Sequence, residues 1–116
     1  MPLTVYGIPN CDTMKKARTW LTEHGVHYEF HDYKKKGISA AALKRWSKAV
    51  GWEKLLNRAG TTFRKLPDAD RADLTEAKAI KLMQEHPSLI KRPVVEISEC
   101  DILVGFKPET YVEHFT

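Results

Sequence analysis

Cys11 is the residue of this chain whose type and setting point most directly to chemistry. It follows an apolar run, Leu3-Thr4-Val5-Tyr6-Gly7, and a breaking turn, Ile8-Pro9-Asn10, and it opens a helical pattern. The unpaired backbone N–H groups of a helix start create a positive local field that favours a thiolate over a thiol. Lys15, one turn further on, adds to that field and is a candidate for substrate contact, whereas the neighbouring Asp12 opposes it. The competing reading is a buried, unreactive cysteine. Such residues more often occupy the interior of a strand or helix than a strand-to-helix turn, which favours a reactive thiol here. The second cysteine, Cys100, lies far along the chain between two apolar runs and is read as structural. His24, His27 and His31 invite a metal site, but no cysteine or carboxylate pattern accompanies them. A solvated histidine face, with no metal, is the expectation.

The frame that holds Cys11 is bounded by length and charge. The chain has 116 residues, 42% of them hydrophobic and 29% charged, the balance of an ordinary globular domain with one core. With 19 basic and 15 acidic side chains the formal charge is +4. Lys34-Lys35-Lys36 is the one tight basic run, which suits a solvated turn. Nucleic-acid binders concentrate such charge in a stripe, so small anionic partners fit better than a polynucleotide. No apolar run approaches the length of a membrane span, so no membrane association is expected. Residues 1–7 lack a basic region followed by an apolar stretch, and two distant cysteines form no disulfide framework. A cytoplasmic protein is the expectation.

Periodicity supplies the elements. Leu3–Gly7 reads as a buried strand. A helix follows with Met14, Ala17, Trp20 and Leu21 on one stripe, stopped by Gly25. His27–Tyr33 reads as a second strand, making a βαβ unit whose strands run parallel. Ser39 caps a helix carrying Leu43, Trp46 and Val50 that ends at Gly51. A short amphipathic turn over residues 52–56 and an irregular stretch over residues 57–64 come next. Asp73 with Glu76 three residues later suggests a capping box for a helix that stops before Pro87. The middle of the chain is therefore helical with no strand-like run. Pro93–Ile97 and Ile102–Val104 flank a loop of hairpin length, and Pro108–Phe115 closes the chain as a short helix. The order β-α-β, helices, β-β-α predicts an α/β fold with a mixed sheet. We read residues 1–116 as one domain, with a core of about 1–35 and 88–116 and a helical insertion of about 36–87.

Three segments carry a family likeness: Tyr6-Gly7-Ile8-Pro9-Asn10-Cys11-Asp12-Thr13, Thr61-Thr62-Phe63-Arg64-Lys65-Leu66 and Ile90-Lys91-Arg92-Pro93-Val94-Val95. Together they resemble the thioredoxin-fold family of arsenate reductases (ArsC) and Spx-like proteins, most closely its YffB-like branch, over nearly the whole chain. The resemblance implies that Cys11 is the nucleophile, that Arg92 faces its sulfur, and that Pro93 is a cis-proline beside it. A cis X–Pro bond there turns neighbouring backbone groups toward an extended thiol substrate. Without the family pattern, Arg92-Pro93 reads as a strand-entry proline with a solvated arginine.

The departures from the pattern narrow the function. Position 14 is Met, so the Cys-x-x-Cys switch of Spx-like regulators is absent. The stretch Gly105-Phe106-Lys107-Pro108 has no arginine, and Arg58 stands one position before the place, Ala59, where relatives carry theirs. A doubly charged oxyanion needs dense, fixed donors, which weakens arsenate reduction. The resemblance then implies a glutathione-dependent thiol–disulfide reductase acting through a single cysteine. Arg92, with Arg64 or Arg58, binds the carboxylates of glutathione, which is the co-substrate; no tightly bound cofactor is implied. Partners are glutathione or a disulfide substrate, with glutaredoxin as a further thiol partner. The alternatives are a non-catalytic Spx-like adaptor that binds RNA polymerase, and arsenate reduction.

Overall fold

A computed structural model describes residues 3–9, 11–98 and 101–115. Four strands form one mixed sheet: β1 (Leu3–Gly7), β2 (Tyr28–Asp32), β3 (Val94–Glu96) and β4 (Ile102–Val104). Their spatial order is β2-β1-β3-β4. β1 and β2 are parallel, with Val5 opposite Phe30, as a helical crossover requires. β3 is antiparallel to both neighbours, with Val95 opposite Val5 on one side and Leu103 on the other.

Helices cover both faces. On one side, α1 (Asp12–Glu23) buries Met14, Ala17 and Leu21 against Leu3, Val5, Val95 and Leu103, joined by Tyr111 of α8 (Pro108–Phe115). The 3.6-residue spacing of Met14, Ala17 and Leu21 against the period-2 alternation of the strands makes this contact possible. Six further helices and a 3-10 turn at Pro87–Leu89 fill the middle of the chain, and several of them cover the other face. The six are α2 (Tyr33–Lys36), α3 (Ala40–Val50), α4 (Trp52–Leu55), α5 (Thr61–Arg64), α6 (Asp68–Arg71) and α7 (Glu76–Glu85). Leu43, Trp46, Leu55 and Met83 from this set pack with Val94 and Ile102 of the sheet. Each such fully buried side chain contributes about 1.5–3 kcal/mol. The polar edge of Trp46 is satisfied: its indole N–H donates to Glu96 at 2.9 Å, a carboxylate that Arg45 and the Tyr6 hydroxyl also reach. No helix among the described residues is long and apolar enough to cross a membrane.

Several boundaries differ from the sequence reading, each for a local reason. The second strand ends at Asp32 and not Tyr33, because the Asp32 carboxylate accepts the N–H groups of Lys34 and Lys35 and starts α2. The third strand is limited to Val94–Glu96, since Pro93 has no N–H to pair. Thr75, not Asp73, caps α7: its hydroxyl accepts from the Lys78 N–H, while Asp73 takes a left-handed conformation at φ 50°. Glu76 accepts the Ser47 hydroxyl instead of closing a capping box. The irregular stretch contains the single turn α5, and the helical middle contributes one extended contact, a bridge between Leu56 and Ile90. His31 is not on a solvated face. It is half-buried 4.9 Å from the Tyr6 ring, with Nε2 2.8 Å from the Gly37 carbonyl oxygen. His24 stacks on Trp20, and His27 is exposed. The Ser39 cap and the positive φ of Gly25 stand as read.

Candidate active site

Cys11 is the N-cap residue of α1, with extended backbone (φ −133°, ψ 131°) and a side chain that does not cap the helix itself. Its carbonyl accepts the Lys15 N–H at 2.9 Å, which closes the first turn and leaves the thiol beside the free N–H groups of Thr13 and Met14. Gly7 sets how closely the turn approaches the helix. A Cβ at position 7 would run into Sδ and Cε at the tip of the Met14 side chain, so a glycine there lets that buried tip lie against the end of β1 without shifting.

Arg92 comes to the same point from the other side of the sheet. β3 pairs with β1, and the Arg92–Pro93 bond that precedes β3 is cis. The Pro93 carbonyl accepts the Gly105 N–H at 2.8 Å, which ties the bond to the end of β4. The guanidinium acts electrostatically on the Cys11 side chain and the Tyr33 hydroxyl, and its one hydrogen bond among the described residues runs from Nη1 to the Ser88 carbonyl at 3.4 Å. Its Nε is buried and has no acceptor among the described residues. Tyr33, fully buried, donates its hydroxyl to the Ile90 carbonyl at 3.0 Å, leaving its oxygen lone pairs for Arg92.

The electrostatics follow from these contacts. Burial pushes the Cys11 thiol up, but the Met14 N–H, the Arg92 side chain and the Thr13 N–H outweigh it and hold the thiol below its ordinary value. Burial opposes the Arg92 charge, and the Cys11 and Tyr33 side chains more than restore it, so the arginine stays cationic. Burial raises Tyr33 against the pull of Arg92, which keeps it a neutral phenol near neutral pH. The arrangement supplies a half-buried thiol at a turn, with its ionised form favoured by helix-start N–H groups and a cation acting on it. That is the equipment of thiol–disulfide exchange.

Of the residues singled out in the sequence, Cys11, Arg92 and Pro93 are brought together. Lys15 is exposed on α1; the side-chain cation acting on the thiol is Arg92. Arg58 lies 5.3 Å over the Trp52 ring, and both Nε and Nη2 of Arg64 bond the Ala59 carbonyl. Neither is among the partners of Cys11 or Arg92. Cys100 lies outside the described residues. No cluster of metal-ligating side chains occurs among the described residues. Sequence reasoning missed Tyr33. Its signal was a large aromatic out of step with Tyr28 and Phe30, at the point where the strand stops.

Comparison with known proteins finds relatives over nearly the whole chain. A solved structure described as YFFB protein is 59% identical, with a TM-score of 0.95, covering 98% of this chain and 99% of its own. An arsenate reductase (ArsC) related protein from Brucella melitensis is 56% identical, with a TM-score of 0.77, covering 99% of this chain and 95% of its own. The global transcriptional regulator Spx of Listeria innocua is 28% identical over 92% of this chain and 82% of its own length. The family model for the ArsC family matches residues 6–114. With a cysteine at the start of α1 and a match over nearly the whole length, one conclusion follows: this chain belongs to the ArsC family, with its thioredoxin-like α/β fold.

Proposed function

We propose that the protein is a glutathione-dependent thiol–disulfide reductase with Cys11 as its nucleophile. The carrying observation is the thiol held below its ordinary ionisation by two helix-start N–H groups and Arg92, beside a cis-proline. In the first step the Cys11 thiolate attacks a disulfide RS–SG, forming the Cys11–SG bond and releasing RS⁻, which takes up a proton. A second glutathione, as thiolate, attacks the glutathione sulfur of that mixed disulfide. Oxidised glutathione forms and the Cys11 thiolate returns. The net change is RS–SG plus GSH giving RSH plus GSSG. A glutaredoxin thiol serves equally as the second attacker. This chemistry belongs in the cytoplasm, where glutathione is held reduced.

Arsenate reduction is the less favoured reading, because one arginine, Arg92, acts on the sulfur and a doubly charged oxyanion asks for several. An adaptor role on RNA polymerase is supported by the likeness to Spx, and it requires no lowered thiol. The test is incubation of the reduced protein with glutathione disulfide, followed by mass spectrometry. The expected product is one glutathione adduct on Cys11, removed by free glutathione and absent from Cys11→Ser, which still folds because the residue sits at a turn. If Cys11 alkylates readily yet takes no glutathione, the glutathione reading fails and the adaptor reading gains.

A further inference from the structure

Beside the outer edge of β4, the surface between α4 and α8 forms a groove of about 360 Å³. Lys54 of α4, Lys91 of the segment before Pro93, Gly105 at the end of β4, and Lys107 and Thr110 at the start of α8 line it. Three lysines from separate parts of the chain thus meet at one depression. No acidic residue among the described ones lines it, and none of the three makes an ion pair with a described residue. The first-turn N–H groups of α8 at Glu109 and Thr110 have no intrahelical acceptor and add to the positive field. Gathering like charges is unfavourable unless an anion offsets it. Nothing in the thiol chemistry at Cys11 uses these lysines.

The groove is placed to serve that chemistry. The Lys91 N–H donates to the Leu55 carbonyl at 2.8 Å, which holds the segment before Arg92 against α4. The Gly105 N–H donates to Pro93, so the groove begins next to the cis bond. Because β1 and β4 are both antiparallel to β3, they point the same way, and their C-terminal ends lie at one edge of the sheet. Two strand spacings separate them, about 10 Å. Glutathione carries its sulfur on the central residue and reaches about 7 Å from it to the glycine carboxylate, so with the sulfur at Cys11 that carboxylate extends past β3 toward the near side of the groove.

Resting on the reading of Cys11 as a nucleophile toward glutathione, we propose that this groove is the carboxylate subsite of its co-substrate. It seats the glycine end of glutathione on Lys91 and Lys107, with Lys54 at the rim. The two ends of glutathione differ. The γ-glutamyl end carries an ammonium beside its carboxylate, whereas the glycine end carries a carboxylate alone. A groove with three cations and no acid selects the second. Arg58 and Arg64, engaged elsewhere, are not needed for it.

The experiment uses S-methylglutathione, which has no free thiol and so binds without any reaction at Cys11. It and its glycine ethyl ester are titrated into the full chain and into Lys91→Gln, Lys107→Gln and the double variant, following the Gly105 amide by NMR. The lysines are exposed, so the fold is not at stake. Wild type should bind the free acid in preference to the ester. Each single variant should weaken binding of the acid about two- to fivefold, the double variant about tenfold, and added salt should remove the preference. Absence of binding to wild type, equal binding of acid and ester, or unaltered binding in the double variant would overturn the proposal. The adduct assay on Cys11 reports separately: binding at the lysines with no adduct removes the reductase reading and leaves the subsite. An adduct without lysine-dependent binding does the reverse.

Discussion

Replacing Arg92 by alanine removes the one side-chain cation that acts on the Cys11 sulfur, and the consequence can be worked out from the contacts. Burial raises the thiol in both proteins, while the N–H groups of Met14 and Thr13 remain. What disappears is the attraction between the thiolate and the guanidinium that acts on it, bounded by the about 1.5–3 kcal/mol of a well-shielded interaction with a charged group. Cys11 is only partly buried, so solvent screening reduces that to about 1–1.4 kcal/mol. Near neutral pH the thiolate population, and with it the rate of alkylation by iodoacetamide, should fall about five- to tenfold. The sign of the pH dependence follows from the lowered thiol. Wild type should gain reactivity at a lower pH than the variant, and the two curves should cross before the plateau above both ionisations. There the variant should be slightly the faster, since the more basic thiolate is the better nucleophile. Arg92→Lys keeps the charge without the planar fork and should recover part of the shift. Superimposable pH profiles for wild type and Arg92→Ala would refute the electrostatic account. A loss equal at every pH would assign Arg92 to positioning alone.

Two further substitutions probe what holds the site in place. Gly7→Ala drives a Cβ into the tip of Met14, a fully buried side chain that has to shift, so overpacking should cost about 1–3 kcal/mol and lower Tm by about 4–12 °C. Adding Met14→Ala should relieve the clash, making the double variant's loss smaller than the sum of the two single losses; strict additivity counts against the contact. Tyr33→Phe leaves the Ile90 carbonyl without its donor and frees one side of Arg92, for a loss of about 1–3 kcal/mol in chemical denaturation. An unchanged denaturation midpoint would mean that the hydroxyl contributes nothing to holding the site.

Much of the scaffold was legible in the sequence, because the signals are local. The β-branched and aromatic run at Leu3–Gly7, the stripe of Met14, Ala17 and Leu21, the Ser39 cap and the terminal helix at Pro108–Phe115 all depend on residues within a turn or two of one another. The placement of Cys11 at a helix start is of this kind, which is why its chemistry could be read before the fold. Where local signals competed, the sequence misled. Asp73 and Thr75 are both good caps, and the choice fell to Thr75 once Glu76 was drawn to Ser47 of a different helix. Tyr33 looked like the end of a strand, and only the burial of its ring, with its hydroxyl on Ile90, makes it a partner of Arg92. The pairing of β1 with β3 brings Cys11 and Arg92 together, and the pairing of β3 with β4 sets Gly105 beside Pro93. Side-chain chemistry is written residue by residue. Which of those side chains converge depends on strand pairings between distant parts of the chain, and these are settled only when the whole sheet and the helices on both its faces are packed.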